Sequence, residues 1–239
     1  MKRRTLLLGT GTLAAGVAGT LLWKPSDNGA PHNDYFSTLN QLLKDAGPGR
    51  PSLIVDRARM NHNIDQLVSS VGPDKTYRVV VKSLPSIELL RHVTERANTQ
   101  ALMVFHQPVL NLIAESFPQS DVLLGKPMPV QAARTFYEQH TKFLQRASPV
   151  STNDAITAAG AFDPAAQLQW LIDSPARLAE YQALAQALGI HMRINVEIDV
   201  GLHRGGLEDP AVLTAMLATI ADNPEHLSFA GLMGYEPHL

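Results

Sequence analysis

The sequence predicts an α/β fold built on a parallel sheet, and two features of the chain lead to this prediction. Six short apolar segments after residue 71 are typical of buried strands, and helical segments separate them. Strands that alternate with helices pair in parallel through right-handed crossovers. A closed (β/α)8 barrel has eight strands, so we expect an incomplete TIM barrel with about six of its eight βα units, from a fragment or a truncated gene product.

The composition is that of an ordinary globular protein, and it narrows the range of partners. The chain has 239 residues, of which 45% are hydrophobic and 18% are charged, with a formal net charge of −2. There is no long basic segment, which argues against a nucleic-acid partner. There are no cysteines, so disulfides and thiolate metal sites are excluded within this chain. We predict no metal ligands among its residues.

The first 23 residues have the pattern of an export signal. Arg3 and Arg4 precede a continuous uncharged segment, Thr5 to Trp23, that is rich in leucine, alanine, glycine and threonine. A basic start followed by an apolar stretch indicates targeting, and the arginine pair resembles a twin-arginine signal. The segment also approaches the roughly 20 residues that span a bilayer. We therefore expect an exported protein, either periplasmic or anchored to the inner membrane through residues 1–23 alone.

The segments that follow the signal lead into the barrel. Residues 24–50 contain proline, glycine, asparagine and aspartate around one amphipathic piece, which predicts a linker with a short helix. The barrel is predicted to occupy residues 51–239. Its first segment, 51–56, predicts a short strand, and apolar residues spaced three and four apart predict a helix over 57–71.

The rest of the chain repeats the order of strand and helix. Ser174 and Pro175, for example, are typical of an N-cap followed by proline at the first helical position. The predicted strands are 77–82, 101–105, 121–125, 168–172, 192–200 and 227–234, and the predicted helices are 86–97, 108–116, 129–139, 153–161, 175–188 and 210–221.

Lys82 is the first candidate for a chemical role. It follows three valines, Val79 to Val81, which are apolar enough for a buried strand. The carboxyl ends of parallel strands are where α/β folds place their chemistry. Burial against an apolar wall favours a neutral amine, which Schiff-base formation requires. The alternatives are that Lys82 is a surface residue that ends a strand, or that Lys126, which also follows a strand, is the reactive amine.

A second polar cluster lies in the strand predicted at 192–200. Apolar and polar residues alternate there, so Arg193, Asn195, Glu197 and Asp199 share one face. In a barrel the apolar face meets the helices, and the polar row points into the interior. Glycines in the following segment, 201–206, allow a ligand to approach the backbone, and Arg204 adds a fixed cation. The alternative is an edge strand with a solvated face.

Three motifs together give the chain a resemblance to the fold-type III pyridoxal phosphate (PLP) enzymes. Val80-Val-Lys-Ser resembles the family's first barrel strand, and Glu197-Ile-Asp-Val-Gly-Leu-His-Arg-Gly resembles its acidic strand and glycine-arginine turn. Gly231-Leu-Met-Gly-Tyr-Glu-Pro-His resembles the sixth strand. The resemblance covers residues 51–239. It is strongest to the branch of D-serine dehydratase and D-threonine aldolase, which shares its barrel with alanine racemase.

The resemblance implies a role for six residues. Lys82 would hold PLP as a Schiff base and would be the catalytic base, and Arg204 would lie beside the cofactor ring near its phenolic oxygen. Tyr235 and His238 would face the cofactor, and Glu197 and Asp199 would belong to the acidic strand beside it. Two departures are visible: the lysine is followed by Ser-Leu-Pro-Ser rather than Thr-His-Lys, and the last strands and the β-domain are absent.

The function that this resemblance implies is PLP-dependent chemistry at the α-carbon of a (D-)amino acid. Racemisation, β-elimination and retro-aldol cleavage remain open, as does a divalent metal bound by residues beyond this chain. We also expect a homodimer. One alternative is a PLP-binding carrier protein with a single barrel domain and no catalysis. Another is a TIM-barrel protein that binds no PLP and uses Lys82 otherwise.

Overall fold

The computed structural model describes residues 29–84, 86–147 and 160–238. The chain divides into two compact units, Met1–Val55 and Asp56–Leu239. In the first unit, helix α1 (Asp34–Ala46) begins where the Asn33 side chain accepts a hydrogen bond from the Phe36 N–H, at 3.1 Å. The helix buries none of its residues. Within the described ranges, no helix has both the length and the apolar character needed to cross a bilayer.

The strand predicted at 51–56 is wrong. Residues 51–55 have no regular secondary structure, and Leu53 is 93% exposed. Asp56 instead caps the next helix, where its side chain accepts a hydrogen bond from the Arg59 N–H at 3.0 Å. An apolar run of this length forms a strand only when a neighbouring strand pairs with it, and none does so in the described chain.

The second unit alternates strands and helices from its first helix onward. A short 3₁₀ turn, Val81–Ser83, interrupts this order after the first strand. The helices are α2 (Arg57–Ser70), α3 (Ile87–Arg96), α4 (Gln107–Ser116), α5 (Val130–Ala147), α6 (Pro164–Gln167), α7 (Pro175–Leu188) and α8 (Pro210–Ala221). The strands are β1 (Val79–Val80), β2 (Ala101–Val104), β3 (Asp121–Leu124), β4 (Leu168–Ile172), β5 (Met192–Glu197) and β6 (Leu227–Met233).

The strands form one parallel sheet in the order of the sequence, β1 to β6. The prediction of a parallel α/β fold is therefore confirmed. The described part of the chain supplies six strands, where a (β/α)8 barrel has eight. Because all strands run in one direction, their carboxyl ends lie along one edge of the sheet, and the segments that follow them meet there.

The core lies between the outer face of the sheet and the helices. Trp170 of β4 is fully buried, and its ring meets Tyr181 of α7 at 5.5 Å between centroids. The Trp170 Nε1–H donates to the Tyr137 hydroxyl of α5 at 3.1 Å. These contacts assign the even-numbered residues of β4 to the side of the helices. Alternation along a strand then directs Gln169 and Leu171 to the inner face.

Several of the observed elements differ from the predicted ones in their bounds. Strand β1 ends at Val80, so Lys82 lies in the 3₁₀ turn rather than in a strand. Helix α5 continues to Ala147, well beyond the predicted end at 139, and the short helix α6 was not predicted. The helix predicted at 153–161 falls almost entirely outside the described residues.

Candidate active site

The carboxyl edge of the sheet forms a cleft of about 440 Å³. Side chains from the ends of five successive strands reach it, which is the arrangement that places chemistry at this edge of α/β folds. The residues that line it are Lys82 after β1, Phe105 after β2, Gly125, Lys126 and Pro127 after β3, Asp173 and Arg177 after β4, Glu197 at the end of β5, and Arg204 and Gly205 beyond it.

Lys82 presents its amine to this cleft. Its Nζ lies 4.2 Å from the centroid of the Phe105 ring, a cation–π contact. Gly125 makes room for that ring, because a Cβ at this position would lie 2.4 Å from the Phe105 Cζ. The side chain of Lys82 is exposed, whereas the sequence suggested partial burial. The reason is that the strand ends at Val80, so Lys82 lies in the 3₁₀ turn that follows it rather than within the sheet.

Glu197 and Arg204 form an ion pair within the cleft. The Glu197 Oε1 lies 3.8 Å from the Arg204 Nη2, and the glutamate side chain is only 5% exposed. Burial raises the pKa of Glu197, while the charge of Arg204 opposes that rise. The Arg204 guanidinium also stacks on Tyr235, 4.0 Å from the ring centroid. Arg204 thus connects the end of β5 to the segment that follows β6.

Glycine shapes the loop that carries Arg204. Gly206 has φ = +95°, and a Cβ there would lie 2.6 Å from the backbone carbon of Ile198. The loop returns so closely that the Leu207 N–H donates to the Glu197 carbonyl and the Asp199 N–H donates to the Leu207 carbonyl, both at 2.9 Å. A residue with a side chain at 206 would separate these backbones and move Arg204.

Asp199 has a structural role in that loop. Its Oδ1 accepts the N–H groups of Gly201 at 2.8 Å and His203 at 3.1 Å, and its Oδ2 lies 3.0 Å from the His203 Nδ1. These hydrogen bonds, led by the one from Gly201, lower the pKa of Asp199. The expectation that Asp199 continues the inner face of β5 is wrong, because the strand ends at Glu197 and the chain then turns.

Asp199, His203 and Glu208 also bring three ligand-type atoms within 4.8 Å of one another. His203 and Glu208 are exposed, and the His203 Nδ1 lies 3.7 Å from the Glu208 Oε1. The hydrogen bonds within the loop account for this grouping, and nothing in the described structure points to a metal there.

The six predicted site residues divide into two groups. Lys82, Glu197 and Arg204 line the cleft, and Tyr235 joins them through its contact with Arg204. Asp199 and His238 do not line it. The His238 ring lies beside the loop, with its Nε2 3.4 Å from where a Cβ on Gly201 would stand. Lys126, the rival amine, lines the same cleft as Lys82.

The sequence indicated Asn195 on the inward face of β5 but not the polar residues of other strands that it contacts. Asn195 donates to the Gln169 Oε1 and Gln169 donates to the Asp121 Oδ1, both at 3.0 Å. Arg78 donates to both the carboxylate and the carbonyl of Asp121. This polar network crosses the inner face of the sheet from Arg78, directly before β1, to Asn195 in β5. The strict alternation of β5 signalled its last member, but the partners on other strands had no such signal.

The sequence comparisons identify one family. Residues 55–239 match the family described as alanine racemase, N-terminal domain. No curated protein matches the chain.

Solved structures with the same fold include two racemases and a dehydratase. A mutant of D-threo-3-hydroxyaspartate dehydratase superposes with a TM-score of 0.61 at 18% identity, over 87% of this chain and 47% of that chain. Alanine racemase from Oenococcus oeni superposes with a TM-score of 0.53 at 14% identity, over 73% of this chain and 43% of that chain. Histidine racemase from Leuconostoc mesenteroides subsp. sake superposes with a TM-score of 0.54 at 10% identity, over 74% of this chain and 41% of that chain. The chain therefore spans less than half the length of each of these structures.

Proposed function

The chain belongs to the family of the alanine racemase N-terminal domain, and on that premise we propose that it is a PLP-dependent enzyme acting at the α-carbon of a (D-)amino acid. The observation that supports this most directly is the exposed amine of Lys82 at the carboxyl edge of the sheet, in a cleft shared with the Glu197–Arg204 pair. Racemisation and lyase chemistry both agree with this cleft.

The charges of the cleft suit an anionic cofactor. Four cationic side chains line it, from Lys82, Lys126, Arg177 and Arg204, against the two carboxylates of Asp173 and Glu197. A cleft with an excess of positive charge attracts a phosphate-bearing ligand. Its volume of about 440 Å³ lies in the usual range for cofactor sites. When bound, PLP supplies an aldehyde that links to a lysine amine and an electron sink for a carbanion.

The residues of the chain would divide the work as follows. Lys82 would hold the cofactor through its amine and, once that amine is free, would act as the base at the substrate α-carbon. Arg204 would hold the cofactor ring through its guanidinium. Glu197 and Tyr235 position Arg204, since the carboxylate contacts its guanidinium edge and the aromatic ring its face. Asp199 acts on the same guanidinium indirectly, by ordering the loop that carries it.

A PLP carrier without catalysis is the second candidate. Among the described residues that line the cleft, the groups besides Lys82 that could act as a second acid or base are Lys126, Asp173 and Glu197. Asp173 is paired with Arg177 at 3.5 Å and Glu197 with Arg204 at 3.8 Å. Both carboxylates are therefore engaged by arginine, and this observation agrees with binding alone.

Reduction of the PLP-loaded chain with borohydride tests the assignment. The pyridoxyl group should map to Lys82, and Lys82→Ala should abolish the protein-bound visible absorbance, while Lys126→Ala should retain it. Lys126 is a matched control because it lines the same cleft. A pyridoxyl group on Lys126, or on no lysine, would reject the assignment. Turnover of D-amino acids by a chain that retains PLP then separates the enzyme from the carrier.

We also propose that the protein is exported in its folded state. Arg3 and Arg4 ahead of the uncharged segment support this proposal. A protein that must acquire its cofactor before export is suited to a pathway that carries folded proteins.

A further inference from the structure

A second cavity adjoins the cleft on the other side of Lys82. It has a volume of about 370 Å³ and lies between the ends of β1 and β2 and the helices α3 and α4. Its walls are almost entirely aliphatic: Val81, Leu84, Ile87, Leu90, Val104, Val109, Leu112 and Ile113 line it together with Phe105, and the polar side chains are those of Lys82 and His106. We call this space the apolar cavity.

Lys82 and Phe105 belong to both spaces. They line the charged cleft and the apolar cavity at once, and their contact of 4.2 Å keeps the amine at the boundary. Lys126 lines the cleft and is not among the residues of the apolar cavity. A group attached to the nitrogen of Lys82 can therefore extend into an apolar space, whereas a group on Lys126 extends into the cleft.

The chemistry of the walls decides what the apolar cavity can hold. Leu90, Val104 and Ile113 form a floor that is essentially inaccessible to solvent. Apart from Lys82 and His106, no ionisable side chain among the described residues lines it, so a charged side chain directed away from these two would lose its hydration without gaining a partner. An engineered apolar cavity of about 150 Å³ binds benzene, and this one is larger.

We propose that the apolar cavity receives the side chain of the amino-acid substrate, and that the substrate class is amino acids with an aliphatic or aromatic side chain of the size of leucine or phenylalanine. This inference rests on the proposed function, because it takes Lys82 as the residue at which cofactor and substrate meet. The charged cleft then holds the anionic groups, and the apolar cavity selects among substrates.

Reductive alkylation tests the cavity without the cofactor. The amine attacks the carbonyl carbon of an aldehyde, water leaves with the carbonyl oxygen, and cyanoborohydride delivers hydride to the resulting carbon–nitrogen double bond. The cofactor-free full chain is treated with isovaleraldehyde, which carries an isobutyl group, or with glycolaldehyde, which is polar. Peptide mapping measures the modification of Lys82 relative to that of Lys126.

The expected result is a preference that depends on the aldehyde. The ratio of Lys82 to Lys126 modification should be about tenfold higher with isovaleraldehyde than with glycolaldehyde, equivalent to about 1.4 kcal/mol. Val109→Trp and Ile87→Trp, which fill the apolar cavity from two different helices, should remove the difference. Leu67→Trp, on the exposed side of α2, should retain it. Circular dichroism shows whether Val109→Trp and Ile87→Trp are folded, and one folded variant is enough for the test.

Equal ratios with the two aldehydes would overturn the proposal, as would a preference that survives filling of the cavity in a folded variant.

A second experiment uses the PLP-loaded chain and follows the change in cofactor absorbance as D-leucine, D-phenylalanine or D-serine is added. D-Leucine and D-phenylalanine should bind about tenfold more tightly than D-serine, and filling should abolish that difference. If Lys82 takes isovaleraldehyde selectively but never binds PLP, the proposed function fails and the substrate assignment fails with it. If PLP binds and the ratio of Lys82 to Lys126 modification is the same with both aldehydes, only the cavity assignment fails.

Discussion

Arg204 is held from two directions at once. Its guanidinium meets the Glu197 carboxylate at 3.8 Å and lies 4.0 Å from the centre of the Tyr235 ring. A planar guanidinium can offer its edge to one group and its face to another, which an ammonium cannot do. These contacts limit the orientation of the side chain before any ligand arrives, and limited freedom reduces the entropic cost of binding.

Arg204→Lys should therefore weaken PLP retention by about tenfold, as expected for the loss of one hydrogen bond to a charged group. Arg204→Ala should weaken it at least as much. Equilibrium dialysis of the loaded full-length protein measures retention. Arg91→Lys is a matched control, because Arg91 also stacks on an aromatic ring, that of Phe117, away from the cleft. Retention equal to that of the parent in both Arg204 variants would exclude Arg204 from the site.

Glu197 makes the stability of the fold depend on pH. Burial raises its pKa above the ordinary value of 4.5, so the folded state holds this proton more tightly than the unfolded state does. As pH rises from below 4.5 through the raised pKa, the free energy of unfolding should fall. Glu197→Gln, which cannot ionise, should reduce that fall, and Arg204→Ala should enlarge it by removing the opposing charge. Urea denaturation at a series of pH values measures both, and a slope for Glu197→Gln identical to the parent's would contradict the prediction.

At the scale of elements, the loop after β5 is the part of the site where we expect substitutions to be tolerated least. Its return to the strand depends on Gly206 in a left-handed conformation, in contact with the backbone of Ile198. It also depends on Asp199, whose carboxylate accepts two backbone N–H groups of the same loop. Both features serve the same end, since they set the position from which Arg204 enters the cleft.

Gly206→Ala should lower the free energy of unfolding by about 1–3 kcal/mol, the usual cost of a strained backbone conformation. The Cβ would also approach the Ile198 carbon too closely, so PLP retention should fall with stability. Gly72→Ala is the control, because nothing lies within 4 Å of the position of its Cβ. We expect that control to stay within about 0.5 kcal/mol of the parent. Chemical denaturation measures both variants, and equal effects would show that the loop tolerates a side chain.

At the scale of the whole chain, the two compact units differ in what they contain. The second unit, Asp56–Leu239, contains the sheet, the cleft and the apolar cavity. The described part of the first unit contributes helix α1, which buries none of its residues. The role that we propose for the first 23 residues is targeting, which is separate from the chemistry of the cleft.

Replacing both Arg3 and Arg4 with lysine should retain the protein in the cytoplasm, because a twin-arginine signal depends on the arginine pair itself. Fractionation of cells that express the full chain, followed by detection of the protein in each fraction, gives the measurement. Unchanged export of the double variant would contradict the proposal. A protein that leaves the cytoplasm only when unfolded would contradict it as well.

Local signals in the sequence were enough to predict most of the helices and strands. The strand at 168–172 and the helix at 175–188 have the predicted bounds, because a run of apolar residues and an N-cap of Ser174 before Pro175 act within a few residues of one another. Gly189 ends that helix with φ = +60° for the same reason. The parallel order of the sheet followed from the alternation of strand and helix, which leaves few ways to connect the elements.

The site depended on contacts between distant parts of the chain, and these the sequence indicated only in part. It placed Lys82 at the end of the first strand of the sheet and Glu197 on the inward face of the strand predicted at 192–200. It did not show that β1 ends at Val80, where a 3₁₀ turn begins although β2 continues to Val104. Asp199 left the inner face because Gly206 brings the loop back to pair Leu207 with Ile198. The apolar cavity beside Lys82 arises where two helices meet two strands, and no single segment encodes such a space.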